Sequence, residues 1–160
     1  MSMIKGFVSL PQTELDHLIL NPDLIPSWVI ENDGSERHLN IDKAWNGIHF
    51  LLMGNVWSDL PPLGNVICGG VEIGDDVGYG PVRYLTPKQV RQVARALNWK
   101  SDESLVKRYV PADMMAADIY PWMWDDGQEA LDFLMTHYRN VVKFYVNTAR
   151  CGSAVIHYVV

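Results

Sequence analysis

Five side chains of this 160-residue chain have the chemistry to meet a small anionic ligand: His49, Arg83, Tyr84, Tyr120 and Trp122. A neutral-range imidazole serves as acid or base. A guanidinium is a fixed cation that matches carboxylate or phosphate in a planar fork. Phenol and indole rings add a packing face with a polar edge. His49 follows Trp45 by one helical turn and is placed to border a cleft. Gly78, Gly80 and Pro121 set irregular backbone around Arg83 and Tyr120, and loops of that kind often carry function. The expected pocket lies where the end of a 41–53 helix meets the 78–85 stretch and the Tyr120 turn. The competing reading buries His49 in the core, ties Arg83 to Asp75 or Asp76, and makes Tyr120 an anchor.

The other reactive residues form weaker patterns. Glu72, Asp75 and Asp76 do not follow the alternating ligands of a calcium loop, and a solvated turn suits them better. Gly74, Gly78 and Gly80 lack both the Lys-Ser/Thr that ends a phosphate loop and the spacing of a dinucleotide fingerprint, so they read as turns. His17 and His38 stand in polar contexts and are expected at the surface. His49, His137 and His157 fall on core elements, where a hydrogen-bonded core histidine is the ordinary outcome. No pair of histidines has metal-ligand spacing, and neither a metal nor a cofactor is expected. Cys151 ends a helix, where the dipole disfavours a thiolate. Cys68 and Cys151 are expected reduced, unbridged and in or near the core. Tyr120, Trp122 and Trp124 suit either gripping a ligand or anchoring an irregular connection.

The elements that position these groups are legible in part. Residues 4–10 read as a strand with Ile4, Val8 and Leu10 on one face and Phe7 on the other. Pro11 opens a helix that ends at Asn21-Pro22, and residues 32–35 form a turn. Ile41, Ala44, Trp45, Ile48 and Leu52 predict a helix over 41–53, started by Asn40 and closed by Gly54. Residues 55–82 are irregular, with short strands at 66–68 and 82–85. Thr86-Pro87-Lys88-Gln89 is a capping box with Leu85 and Val90 as its hydrophobic staple. Ser101 caps a short helix and Pro111 opens another. Gly127 to Arg150 is the longest helix, expected to be central because it carries two apolar stripes. Residues 154–160 read as an interior strand. Two terminal strands with most helices between them predict one α+β domain over 1–160. Its small, mostly antiparallel sheet holds both terminal strands and is packed by five to seven helices.

Composition bounds the function. Hydrophobic residues make up 48% and charged residues 20%, and the formal net charge is −6 with a pI near 5.2. An acidic chain disfavours nucleic acid and anionic membranes. With no leader-like N-terminus and few cysteines, a cytoplasmic protein is expected.

Three stretches together resemble the YfbM-like family of small bacterial proteins, a domain of unknown function: residues 39–52 (LNIDKAWNGIHFLL), residues 78–87 (GYGPVRYLTP) and Ile119-Tyr120-Pro121. The resemblance runs over nearly the whole chain and implies a bacterial, single-domain, mixed α/β protein. It supplies no activity, cofactor or catalytic residue. The favoured reading is a binding module for a protein partner or small ligand. A small acidic protein of this kind is suited to neutralising a basic partner, as immunity proteins do for toxins. The alternative is an enzyme on a small anionic metabolite, with His49 as acid/base and Arg83 as anion clamp.

Overall fold

The computed structural model describes residues 2–160. Its centre is a five-stranded sheet of β1 (Lys5–Leu10), β2 (His38–Asn40), β3 (Val71–Asp76), β4 (Pro81–Leu85) and β5 (Ala154–Val159). The spatial order is β2-β1-β5-β4-β3, and every pairing is antiparallel. Both terminal strands therefore lie side by side in the middle of one sheet, as expected. Each is almost wholly buried, which accounts for the continuous apolar run of β5.

Alternation along the strands divides the core in two. Val8, Leu10, Ala154, Ile156, Tyr158, Val82 and Ile73 face α1 (Gln12–Leu20) and α2 (Ile25–Asn32). Phe7, Val155 and Leu85 face the larger helical layer. That layer comprises α3 (Trp45–Met53), α4 (Pro87–Asn98), α5 (Asp102–Arg108), α6 (Pro111–Ala116) and the 23-residue α7 (Gln128–Arg150). The helix expected over 41–53 begins as a 3-10 turn at Asp42–Ala44, with Asn40 Oδ1 accepting from the Asp42 N–H at 2.7 Å. Gly54 closes it with φ +78°.

The α4 start is as expected. The Gln89 N–H donates to Thr86 Oγ1 at 3.3 Å, and the Thr86 N–H donates to Gln89 Oε1 at 2.9 Å. Leu85 and Val90 are both fully buried beside it. Thr86→Ala should therefore lower stability by about 1 kcal/mol. Chemical denaturation is the check, and an unshifted midpoint would count against the capping role.

Two local expectations need correction, and one helix lies where none is predicted. Residues 66–68 form no strand; they continue a helical turn begun at Leu63–Asn65. A short apolar run does not by itself distinguish the two conformations. Between Pro22 and the 32–35 turn, where the sequence predicts no element, lies α2. Pro26 sits in its first turn, where the missing N–H costs no hydrogen bond. The acidic turn at 72–76 is the edge strand β3, whose register shifts between Ile73 and Asp76 around Gly74 at φ +75°. Charge and a bulge both suit a strand exposed at a sheet edge.

Candidate functional site

One row of side chains crosses all five strands on the face toward α3 and α7: Leu39, Phe7, His157, Arg83 and Glu72, each opposite the next. The two nitrogen-bearing members of this row hold the irregular 65–70 segment. His157 Nε2 lies 2.8 Å from the Gly69 carbonyl, and Arg83 Nη1 donates to the Gly70 carbonyl at 3.2 Å. From α7, the Tyr145 hydroxyl donates to the Val66 carbonyl at 2.7 Å. A buried segment without sheet partners must satisfy its carbonyls by other means, and these three side chains do so.

The same hydrogen bonds set the His157 tautomer. Nε2 carries the proton toward Gly69, leaving Nδ1 to accept from Lys5 Nζ at 2.7 Å. Lys5 is 4% exposed, and its ammonium stands 5.6 Å from the Phe7 ring centroid. Burial brings its pKa down to about 8, with Cys68 opposing and Arg83 reinforcing the shift. Burial also holds His157 well below the usual imidazole range, helped by Lys5 and Arg83. Burial pushes the Cys68 thiol up against the pull of Lys5 and Arg83. Lys5 and His157 thus form a polar pair beneath the 65–70 segment, and Cys68 of that segment faces the charge of Lys5. Sequence reasoning placed His157 and Cys68 only as core residues and overlooked Lys5. A lysine flanking an apolar strand is ordinarily a surface residue, and nothing local marks this one as buried.

Of the five candidate residues, Tyr120 and Trp122 are in ring contact, and Tyr84 lies on the other face of the sheet from Arg83. His49 is 1% exposed, as the competing reading held, yet its Nδ1 has no hydrogen-bond partner. Burial lowers its pKa, Lys5 lowers it further, and the Ser58 carbonyl and Asp59 oppose. Arg83 is ion-paired, but with its cross-strand neighbour Glu72 at 2.6 Å rather than with Asp75 or Asp76. Tyr84, the next residue along β4, points to the other face and packs with the α1–α2 cluster. Tyr120 is 6% exposed; its hydroxyl accepts from the Met3 N–H at 2.9 Å, and its ring lies 5.9 Å from Trp45. Trp122 is half exposed and meets Tyr120 edge-on at 5.3 Å. His49 as acid/base and Arg83 as clamp would require a substrate-sized opening between them, and the grooves described below open elsewhere. Trp124 is fully buried, its Nε1 donating to the Ile119 carbonyl at 2.9 Å. It anchors the connection rather than presenting a ring.

Other expectations change at the surface. His38 is not a surface residue: its side chain is 6% exposed, stacks on Tyr158, and puts Nε2 3.1 Å from that hydroxyl. The short β2 strand carries it onto the buried α1–α2 side. Cys151 is exposed, because α7 ends in solvent, whereas Cys68 is half-buried; both are free thiols. His137 is half-buried against Phe133 with Nδ1 unpaired. Among the described residues no three His, Cys, Asp or Glu side chains gather closely enough to hold a metal ion. No helix among them is long and apolar enough to cross a membrane.

The outward-facing grooves lie mainly on the helical layer. One of about 460 Å³ runs between Pro61-Pro62 and α4, lined by Gln92, Arg95, Ala96 and Trp99. Trp99 is 84% exposed there. Another, of about 300 Å³, lies between Asp42, Met123, Asp126, Glu129 and Phe133.

The model of the domain of unknown function DUF1877 matches residues 1–158. Among solved structures, a crystal structure of a protein of unknown function, YfbM from Escherichia coli, is similar with a TM-score of 0.76 and 21% identity. The likeness covers 98% of this chain and 99% of that one. No curated protein matches the sequence. The fold is therefore shared with YfbM, and the match over almost every residue shows that this chain belongs to the DUF1877 family, a domain of unknown function.

Proposed function

We propose that this protein is a binding module of the bacterial cytoplasm and that its partner is a protein segment seated in the groove beside Trp99. The observation that carries this reading is the exposure of that indole, 84%, next to the paired prolines Pro61-Pro62 and the Arg95 guanidinium. α4 already buries Val90, Val93, Ala94 and Leu97 in the core, so Trp99 adds nothing to the fold that its exposed position would explain. Tryptophan and arginine are the side chains most enriched at the energetic centres of protein interfaces.

The interior polar groups support the same reading. His157, Arg83 and Tyr145 are engaged in holding the 65–70 backbone, and that segment follows the groove's Pro61-Pro62 and the Leu63–Asn65 turn that contacts α4. Their chemistry is used in positioning a binding surface. The alternative, catalysis on a small anionic metabolite at His49 and Arg83, is the weaker reading, since Glu72 already neutralises Arg83 and His49 is enclosed.

The test compares proteins retained from bacterial lysate by the wild-type chain and by Trp99→Ser. We expect a retained species to be lost with Trp99→Ser while the thermal midpoint is unchanged, because the ring is outside the core. Identical retained sets for the two proteins would overturn the reading.

A further inference from the structure

We propose that the Trp99 groove is one end of a longer basic trough over α4 and α7 that takes an acidic, apolar protein segment; this rests on the binding-module reading and specifies its partner. Three grooves adjoin. The first shares Arg95 with a second, of about 450 Å³, in which Arg91 and Ala94 of α4 face Val146, Ala149 and Arg150 of α7. The second shares Val146 with a third, of about 330 Å³, bordered by Val142, Lys100, Arg139 and Lys143. α4 and α7 are in direct contact along the seam of the second and third grooves, and the exposed Arg95 on the outer face of α4 joins the first groove to them.

The charge along this path is opposite to that of the protein. The chain carries 13 Lys and Arg against 19 Asp and Glu. Six of the 13, Arg91, Arg95, Lys100, Arg139, Lys143 and Arg150, line the trough. α4 contains no Asp or Glu, and α7 contains none after Asp132. The single acid in the trough, Asp102, is engaged by Arg139 at 2.7 Å. The other five cations make no ion pair among the described residues. Like charges gathered without counter-charges repel one another and are relieved by an anionic partner. The net charge of the chain points to a basic partner; the local charge at this surface points to an acidic one, and the local field is what a docked segment meets within a Debye length.

The floor decides between protein and nucleic acid. Ala94, Val142, Val146 and Ala149 give it an aliphatic surface with one indole at one end. Single-stranded nucleic acid is held by repeated aromatic platforms, and a long polyanion would also meet the acidic remainder of the molecule. A peptide brings aliphatic side chains for the floor and carboxylates for the rim. Arg139 to Arg150 spans about 16 Å of helix axis, the length of roughly eleven helical residues of a partner.

The probe is a labelled peptide of about 16 residues containing Glu, Leu and one Trp, followed by fluorescence anisotropy at about 50 and about 300 mM salt. We expect saturable binding, weakened at least about tenfold by the added salt and by the Arg95→Glu/Arg150→Glu double variant, with circular dichroism confirming the variant's fold. A Lys-for-Glu peptide should not bind. No saturation with the Glu peptide up to about 1 mM, a weak limit for specific docking, would overturn the proposal. So would equal affinity of the double variant, or tighter binding of a uridine oligonucleotide of the same length. If Trp99→Ser loses its partner while the charge-reversed protein keeps it, the trough is wrong and the binding module stands.

Discussion

Trp124→Ala should lower the stability of this protein by about 4 kcal/mol, within the range for removing a fully buried aromatic ring. The indole has no exposure, and its Nε1–H and backbone carbonyl both sit in the hydrogen-bond network: the ring donates to Ile119, and the carbonyl accepts from the Tyr109 hydroxyl at 2.7 Å. Truncation leaves a cavity between α3 and α7 and removes one of the two hydrogen bonds to the Ile119 carbonyl, which keeps the Trp122 N–H at 3.0 Å. The same packing explains Gly47. A Cβ there would stand 2.6 Å from the Trp124 ring and 2.9 Å from Leu134 Cδ1, and neither the ring nor the tightly packed α7 can retreat easily. Gly47→Ala should therefore cost about 1–3 kcal/mol by overpacking, although alanine favours helix. Urea denaturation of both variants checks this. A loss below about 1 kcal/mol for Trp124→Ala would show that the ring is not the anchor of the 119–127 connection.

The second large effect is on pH dependence, and it follows from burying Lys5. Its pKa falls from 10.5 to about 8 in the folded protein. Between those values the native state has released a proton that the unfolded chain still holds. Stability then rises with pH through that window and is lowest, on this account, below pH 8. The full difference amounts to about 3 kcal/mol. Cys68, Tyr138, Tyr145 and Tyr158 act in the opposite direction at higher pH, since burial raises each and the unfolded chain ionises first. The rise is therefore clearest from about pH 8 to 9. On the acid side, His157 stays neutral while the unfolded imidazole gains a proton, so stability declines as pH falls below about 6.5. Lys5→Met isolates the first effect. The stability of the wild type relative to this variant should increase from about pH 7.5 to about pH 10, and a flat difference would show that Lys5 does not titrate in the folded state as its burial requires.

The pH behaviour and the binding surface belong to different parts of the molecule. Lys5 and His157 lie inside, under the 65–70 segment, whereas Arg91, Arg95 and Arg150 line grooves that open outward. Docking of an acidic segment should accordingly depend on salt far more than on pH between about 6 and 8, because arginine remains charged throughout. His38 is likewise outside that surface, on the α1–α2 side of the sheet.

Sequence alone determined the features that depend on near neighbours. Thr86, Pro87 and Gln89 identify the start of α4 because an N-cap and its N3 partner are three residues apart. Ser101 identifies α5 in the same way, and the apolar run 154–159 reports a strand covered on both sides. Together with the two terminal strands, these were enough for an α+β domain, and the three quoted stretches were enough for the family. Pairings distant in the chain were not legible. Lys5 meets His157 across 152 positions, and Tyr145 holds Val66 across 79. Arg83 took Glu72 instead of Asp75 or Asp76 because strand register places Glu72 directly opposite it. Tyr84 left the expected site because consecutive residues of a strand face opposite sides. The basic trough, finally, exists only where α4 and α7 lie against each other. A net charge of −6 averages over the whole chain, while the packing of two acid-poor helix faces decides where the positive charges gather.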